Sequence, residues 1–347
     1  METNLKGPAI IEKKPMISII ITAYNRLDFI DQALESVTRQ TLDPSFLQVI
    51  LLTNFDYNLN LMRSKYHSIF VIKANGTIGH FLYLAMLKAE GEIIAFLDDD
   101  DIWVNNKLEI IMNKFLQNND IYYYHNSVEY IDIKAKEIKY KRPLDSRKKY
   151  LKENGTFAFS MSNPDSHSIK FALMISGDFN LSSICIRRSL VSSSLVHLLR
   201  VEGSTDAFFF WLSIISGHTL YFDFSKLTKY RLHNHNSSSM LTLSSKYKEL
   251  NKQIKTYDIL IDIGISDQTI KNNYAILAWL DLYRNEELML FLIFSESKRK
   301  EVLHRFIRLI KINRKLYNHV RQRIELFTIV YIFFPRLAIL IYTELTK

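Results

Sequence analysis

Residues 91–103 read GEIIAFLDDDDIW, an apolar run that passes without a break into four consecutive aspartates and then a tryptophan. Ile93–Leu97 is too short for a globular helix and opens with two β-branched residues. It reads as a strand buried on both faces, with Asp98–Asp101 at its carboxyl end. Four neighbouring carboxylates repel one another, so a chain that keeps them must set something positive against them.

Outward from this strand, the first 125 residues alternate between two periods. MISIIIT (16–22), LQVILLT (47–53) and SIFVIK (68–73) are further short β-branched runs. Between them, NRLDFIDQALESVTRQ (25–40) places Leu27, Ile30, Leu34 and Val37 on one helical face, with Asn25 and Asp28 positioned to cap its start. TIGHFLYLAMLKAEGE (77–92) reads as a second helix, stopped by Gly91. This alternation predicts an α/β fold: a mostly parallel sheet with right-handed crossovers, flanked by helices. Ligands of such sheets bind beyond the carboxyl ends of the strands. TAYN (22–25) and the aspartates should therefore face one crevice. From about 125 to 180 no period dominates. STDAFFFWLSIISGHTLYFDFSKLTKYRLHNHNSSS (204–239) then gives a helix, a strand and a polar loop, and beyond Met240 only long helical patterns follow. Residues 1–240 are predicted as one unit and 241–347 as an α-helical region.

At 347 residues and 48% hydrophobic, the chain can bury one large core or two modest ones. A single cysteine, Cys185, excludes an internal disulfide framework and suits a reducing compartment. METNLKGPAIIEKKP (1–15) lacks the apolar core of a signal peptide, so a cytoplasmic location is expected. The net charge of +9 is local: Lys298–Arg323 hold ten bases and one acid, Glu301, and the rest of the chain is neutral. A general nucleic-acid-binding surface is not indicated; a localised basic element is.

A carboxylate cluster at a strand end, beside a nucleotide-sized crevice, suits Mg²⁺ or Mn²⁺ completing its shell with water and a substrate diphosphate. The alternatives are a solvated acidic loop, or aspartates capping the helix NKLEIIMNKFLQ (106–117). An aspartate-rich prenyl-diphosphate site fits poorly, because that chemistry sits on helices and these residues follow a strand. Taken in order, SIIITAYNR (18–26), NGTIG (75–79), GEIIAFLDDDDIW (91–103), STDAFFFWLSIISG (204–217) and LTKYRLHNHNSSS (227–239) resemble the GT-A-fold glycosyltransferases of the large family 2. The resemblance covers roughly the first 240 residues, and the opening strand and aspartate block are its most specific pieces.

The resemblance implies an inverting, metal-dependent enzyme that moves a sugar from a nucleotide-diphosphate sugar to a glycan or lipid-linked acceptor. It implies that Thr22, Ala23 and Tyr24 line the nucleotide pocket, that Asp98 and Asp99 contact the donor, and that Asp100 is the principal metal ligand. Asp98 would sit close to the metal, and His233 would be a third ligand or a diphosphate contact. The chemistry agrees, because breaking a sugar–phosphate bond builds negative charge on the leaving diphosphate, which a cation stabilises. Two positions depart from the family pattern. LLTNFD (51–56) lacks the base-reading aspartate, leaving Asn54, which can both donate and accept, to read a base edge. The helix after NGTIG has Leu82 and Tyr83 where an Arg-Asn pair is common, so a positive donor contact is missing there.

An inverting transfer needs a base for the acceptor hydroxyl. The resemblance implies Asp206, in GSTDAFFFW (203–211), with Thr205 in place of the family's glutamate. Read as plain sequence, Ser204 or Asp206 can simply cap the helix and complement its dipole. His233 and His235, two apart, face one way on an extended segment. With no cysteine nearby a zinc site is not expected, and His235 reads as a loop histidine. Cys185 reads as a buried small hydrophobe. Trp103 and Trp211 could stack on sugars, though Trp211, inside AFFFWL (207–212), suits the core better.

In Lys298–Arg323, Val302, Leu303, Phe306, Ile307, Ile310 and Leu316 interleave with the bases, the composition of an interfacial helix. The apolar run Leu326–Tyr342 is broken by Pro335 and Arg336 and falls short of the ~20 residues that span a bilayer. Residues 298–347 are expected either to lie on an anionic membrane at its inner face or to pack as helices with a solvated basic face. Two rival functions stand. A nucleotidyltransferase would show a Gly-rich basic loop after the first strand, whereas TAYNRLDF (22–29) has one Arg and no Gly. A non-catalytic sugar-nucleotide-binding protein would share the pocket without turnover.

Overall fold

The computed structural model describes residues 16–66, 68–139, 155–162, 166–233, 243–266, 274–294 and 300–307. Four parallel strands form its first half: β1 (Ile17–Ala23), β2 (Leu47–Thr53), β3 (Ser68–Lys73) and β4 (Ile93–Asp98), in the order β3-β2-β1-β4. These are the β-branched runs of the sequence, to within one residue. Both faces of β1 are buried. Ile17, Ile19, Ile21 and Ala23 enter one apolar cluster and Ile20 the other. At about 1.5–3 kcal/mol per fully buried aliphatic side chain, this strand is a principal anchor of the sheet.

Helix α1 (Ile30–Thr38) and, after the short α2 (Asn60–Arg63) and β5 (Ile102–Trp103), helix α4 (Lys107–Gln117) cover the first cluster. Helix α3 (Ile78–Lys88) covers the second. Three helix ends differ from expectation. Asn25 has a left-handed φ of 56°, so the chain turns before it can coil. The helix therefore starts at Ile30 behind Phe29, with no side-chain cap, and Leu27 is 57% exposed rather than part of the apolar face. Helix α3 ends at Lys88 because Ala89 is already extended. Gly91 serves close packing instead, since a Cβ there would lie 2.5 Å from the Ser18 nitrogen. Helix α4 is preceded by Asn106, without a side-chain cap, so the aspartates do not cap it.

The second half of the sheet is mixed rather than parallel. It adds β6 (Ile121–Ile131), β7 (Thr156–Ser160), β8 (Ile184–Arg187) and β9 (Thr219–Arg231). Strand β8 is antiparallel to both β4 and β6, β6 is parallel to β9, and β5 and β7 pair antiparallel with β9. Strand β8 is only four residues long and β6 is rich in tyrosine, so neither shows the aliphatic signature of β1, β2 and β4. Helices α5 (Ser166–Met174) and α6 (Thr205–Ile215) follow β7 and β8. Phe208, Phe209, Phe210 and Trp211 of α6 are fully buried, which is the core role expected of Trp211.

Beyond 240 the described residues are helical: α7 (Leu243–Ser266), α8 (Tyr274–Phe294) and residues 300–307. Tyr257, Leu260, Ile263, Ile276, Trp279, Leu280, Val302 and Phe306 join the same apolar cluster as α3 and α6. Leu303 and Ile307 are exposed. Among the described residues no helix is long and apolar enough to cross a membrane. His235, most of the basic stretch and the run Leu326–Tyr342 lie outside the described residues.

Candidate active site

Strands β1 and β4 are neighbours, and Thr22 stands opposite Asp98 at their carboxyl ends. The Thr22 hydroxyl donates to Asp98 Oδ1 at 2.8 Å, and the Asp99 N–H donates to the Thr22 carbonyl at 3.1 Å. The expected crevice is there. A cleft of about 610 Å³ is lined by Thr22, Tyr24, Arg26, Asp98, Asp99 and Asp100, together with Asn180, Glu202, Gly203 to Asp206, and Glu249 and Lys252 of α7. A second cavity of about 360 Å³ shares Thr22, Tyr24, Glu202 and Lys252 and adds Ala23, Gly76, Thr77 and Phe81.

The positive group set against the aspartates is Arg26, a residue that sequence reasoning passed over. Its guanidinium is bonded to both oxygens of Asp99 and lies 2.7 Å from Asp100 Oδ2. It also lies 3.2 Å from His233 Nε2, and that ring nitrogen is 2.9 Å from Asp100 Oδ2. Burial alone would lower the Arg26 pKa; the Asp99 bond and the Asp100 and Asp99 charges outweigh it and raise it above the ordinary arginine value.

The four carboxylates are settled separately. Asp98 is pushed well above the usual range by burial and by the charges of Asp100 and Asp101. Burial, opposed by the Arg26 hydrogen bond, puts Asp99 at about 6. Asp101, buried and beside Asp100, is pushed up to about 7; it accepts from Asn180 Nδ2 at 2.9 Å and from the Arg231 N–H at 3.0 Å. Burial also works against ionised Asp100, but the His233 hydrogen bond and the Arg26 charge overcome it and lower its pKa. Asp100 is thus the member of the block that holds its charge most firmly.

Beneath the block the backbone is clamped by three further residues that the sequence reading missed. Arg231 donates to the Asp100 carbonyl at 2.8 Å and to Gln32 Oε1 at 2.7 Å, with its guanidinium 4.4 Å from the Phe29 ring centre. Fully buried Lys107 donates to the Ser182 carbonyl at 2.6 Å and to Thr228 Oγ1 at 2.9 Å, and burial pulls it down to about 8. Ser182 in turn accepts from the Asp98 N–H at 3.0 Å and, at its carbonyl, from Trp103 Nε1 at 2.9 Å. Trp103 is 1% exposed, so it belongs to this clamp and cannot stack on a sugar.

Asp206 enters the same cleft from the first turn of α6. Ser204 is left-handed, with φ 52°, and makes no side-chain cap. The Asp206 carboxylate accepts from the Ala207 N–H at 2.9 Å and the Asn180 N–H at 3.3 Å. Burial raises it to about 6, the Ala207 bond opposing and nearby Asp178 adding to the rise. Other expected donor contacts are placed less simply. Ala23 is fully buried and can offer only its backbone, whereas Tyr24 is 50% exposed at the cleft rim. Asn54 lines neither cavity, and its amide is interlocked with Asn25, at 2.9 Å and 2.5 Å. His233 also lines neither cavity and reaches the site through Asp100. Leu82 is a core residue. Cys185 is fully buried, as expected. Among the described residues no three acidic, imidazole or thiol side chains are gathered closely enough to enclose a metal ion.

Residues 18–171 match the family described as glycosyl transferase family 2. The Escherichia coli protein named UDP-Glc:alpha-D-GlcNAc-diphosphoundecaprenol beta-1,3-glucosyltransferase WfgD is 33% identical over 122 residues, 32% of this chain and 45% of that protein. The matched stretches span less than half the length of the first curated relatives. Among solved structures, S. aureus TarS in complex with UDP-GlcNAc superposes with a TM-score of 0.54 at 13% identity, covering 93% of this chain and 87% of that one. The mannosyltransferase PcManGT of Pyrobaculum calidifontis, in complex with GDP-Man and Mn²⁺, superposes with a TM-score of 0.50 at 14% identity, covering 94% and 87%.

Proposed function

We propose that this chain, which carries a glycosyltransferase family 2 domain over residues 18–171, transfers a sugar with inversion from a nucleotide-diphosphate sugar to an acceptor hydroxyl. The observation that carries the reading is the shared cleft, where the strand-end group Thr22, Tyr24 and Asp98–Asp100 meets Asp206. A carboxylate raised to about 6 is ionised at neutral pH yet basic enough to accept a proton. Asp206 takes the acceptor proton as that oxygen attacks the anomeric carbon from the side opposite the leaving diphosphate. One displacement of this kind inverts the centre. Thr22 and Asp98 orient the nucleotide sugar, and Tyr24 offers an aromatic face at the rim.

Charge supports a divalent cation. Even with Asp98 holding a proton, the cleft lining carries five further acids (Asp99, Asp100, Asp206, Glu202 and Glu249) against Arg26 and Lys252. An anionic diphosphate is repelled from such a lining unless a cation enters with it. Oxygen donors suit Mg²⁺ or Mn²⁺, and Asp100 and Asp98 would hold the ion from the cleft, with His233 behind Asp100. Because no three such side chains enclose an ion by themselves among the described residues, water and the donor diphosphate would complete its shell. When bound, the ion stabilises the charge that builds on the leaving diphosphate. The complex of PcManGT with GDP-Man and Mn²⁺ is in keeping with this. Lys252, which lines both cavities from α7, would supply the positive donor contact that Leu82 and Tyr83 do not.

The names of the relatives support a UDP- or GDP-linked donor, and the E. coli relative supports a lipid-linked acceptor. The basic side chains of residues 298–347 would then hold the protein on the anionic inner face of a membrane, with Val302 and Phe306 turned into the core. A thermal-shift panel of nucleoside diphosphates with and without Mn²⁺ tests the donor reading. One nucleotide should raise the melting temperature in Mn²⁺ and lose that effect in Asp100→Asn. No shift with any nucleotide would reject it. Flotation of full-length protein with anionic liposomes tests the membrane reading, and no flotation at low salt would reject that part alone.

A further inference from the structure

We infer that Asn180 is a positioning residue that ties Asp206 to the aspartate block, holding the proposed base in register with the donor site. This rests on the reading of Asp206 as the base. Asn180 stands just before the turn Leu181–Ser183 that leads into β8, is 6% exposed and lines the cleft. Its two ends face different partners. The side-chain amide donates to Asp101 Oδ2 at 2.9 Å, while the backbone N–H donates to Asp206 Oδ2 at 3.3 Å. Asp101 is itself fixed through the Arg231 N–H at 3.0 Å. A continuous path of hydrogen bonds therefore runs from Arg231 through Asp101 and Asn180 to Asp206.

The backbone of Asn180 points the same way. It has φ 65° and ψ 108°, a region that non-glycine residues rarely occupy. Such a conformation persists only where its surroundings over-determine it. Here the side-chain carbonyl accepts from Ser183 Oγ at 3.2 Å, and the backbone carbonyl accepts from the Ser183 N–H at 3.0 Å. Rotation to negative φ would turn the N–H away from Asp206 while the side chain stayed on Asp101. Both bonds are held together only in the strained form. The groups that face Asp206 are the Ala207 N–H, the Asp178 carboxylate and the Tyr123 phenol, with Arg26 and Lys252 lining the same cleft. The Ala207 N–H and Asp206's own N–H belong to α6, so among the described residues the Asn180 N–H is the backbone donor to Asp206 from outside that helix.

Two substitutions separate the two ends of this residue. Asn180→Gly tolerates positive φ, so it keeps the N–H aimed at Asp206 but loses the link to Asp101. Asn180→Ala loses the link and is strained at that φ, so the N–H turns away as well. With the full chain, a nucleotide-sugar donor and acceptor, the readouts are kcat, donor KM, melting temperature and the acid limb of the pH profile of kcat/KM. Asn180→Gly should lower kcat about 3–10-fold with the acid limb unmoved. Asn180→Ala should lower kcat about 10–100-fold, as expected of a misplaced base, and move the limb to higher pH because the ionised carboxylate has lost a donor. Donor KM should stay within about threefold in both. Wild-type kcat in Asn180→Gly overturns the inference, even if Asn180→Ala fails to fold. A loss in both variants that follows melting temperature with an unmoved limb overturns it too. Asp206→Asn, run alongside, separates the two readings. Near-normal turnover there removes the base and this inference together. An inactive Asp206→Asn beside a normal Asn180→Ala removes only the inference.

Discussion

Replacing Arg26 by glutamine removes the guanidinium that contacts both Asp99 and Asp100. Deleting one partner of a buried ion pair costs about 3–5 kcal/mol, because the other charge is left uncompensated. Two features reduce that figure here. The Arg26 side chain is 19% exposed, so water reaches the pair from one side. Asp99, already at about 6, can also shed its charge by taking a proton. A loss of about 2–3 kcal/mol is expected. For a chain of this size that is about 4–6 °C of melting temperature, measured with EDTA near neutral pH. Arg26→Lys keeps the charge without the fork and should recover about half the loss. Mn²⁺ should raise the melting temperature of Arg26→Gln by more than that of wild type, since the ion restores positive charge against the same carboxylates. A variant that melts within about 1 °C of wild type in EDTA would refute this view of how the aspartates are balanced.

Three further outcomes are expected. Asp206, raised by burial to about 6, must be ionised to act, so kcat/KM should be flat above neutrality and fall about tenfold per unit below pH 6; a profile flat to pH 5 would exclude this group. The same sign makes protonated Asp206 the form that favours the folded state, a contribution complete below the unfolded-chain value and lost as pH rises through about 6. Lys107→Met removes one of the buried donors from Thr228 Oγ1 and from the Ser182 carbonyl, which keep Asn126 Nδ2 and Trp103 Nε1, and one of the two cations near Asp101, leaving Arg231; urea denaturation should show a loss of about 1–2 kcal/mol, and an unchanged midpoint would contradict the clamp. Fully buried Cys185, its thiol pushed up to about 12, should consume no disulfide reagent in the native protein and one equivalent in denaturant; rapid native reaction would show the core open there.

The first half of the fold was legible because each strand carries its own burial. Runs such as ISIIITA and LQVILLT need no knowledge of their partners to be read as strands. The crevice followed from topology, since parallel neighbours bring Thr22 and Asp98 together. What the sequence hid was long-range or conformational. Arg26 finds Asp99 across 73 residues, and nothing local in TAYNR marks that pairing. Arg231 reads as one more base beside two histidines, yet it clamps the Asp100 carbonyl 131 residues away. The late start of α1 turns on the left-handed φ of Asn25, a choice asparagine tolerates but does not announce. Asn180 lay in the stretch where no period dominates, and its role depends on a backbone conformation rather than on a pattern.

The most direct measurement is the turnover of Asp206→Asn alongside its donor affinity and melting temperature. The amide keeps the size of the carboxylate and an oxygen for the Ala207 N–H, gives up the 3.3 Å bond from the Asn180 N–H, and cannot take a proton from the acceptor. Turnover should fall about 10²–10⁴-fold, the usual worth of a positioned base. Donor affinity should stay within about twofold and stability within about 1 kcal/mol, because the group acts on the acceptor and contributes little as a cap. Near-wild-type turnover, with or without a lowered melting temperature, would contradict the assignment of Asp206 as the base and leave it a helix-end residue.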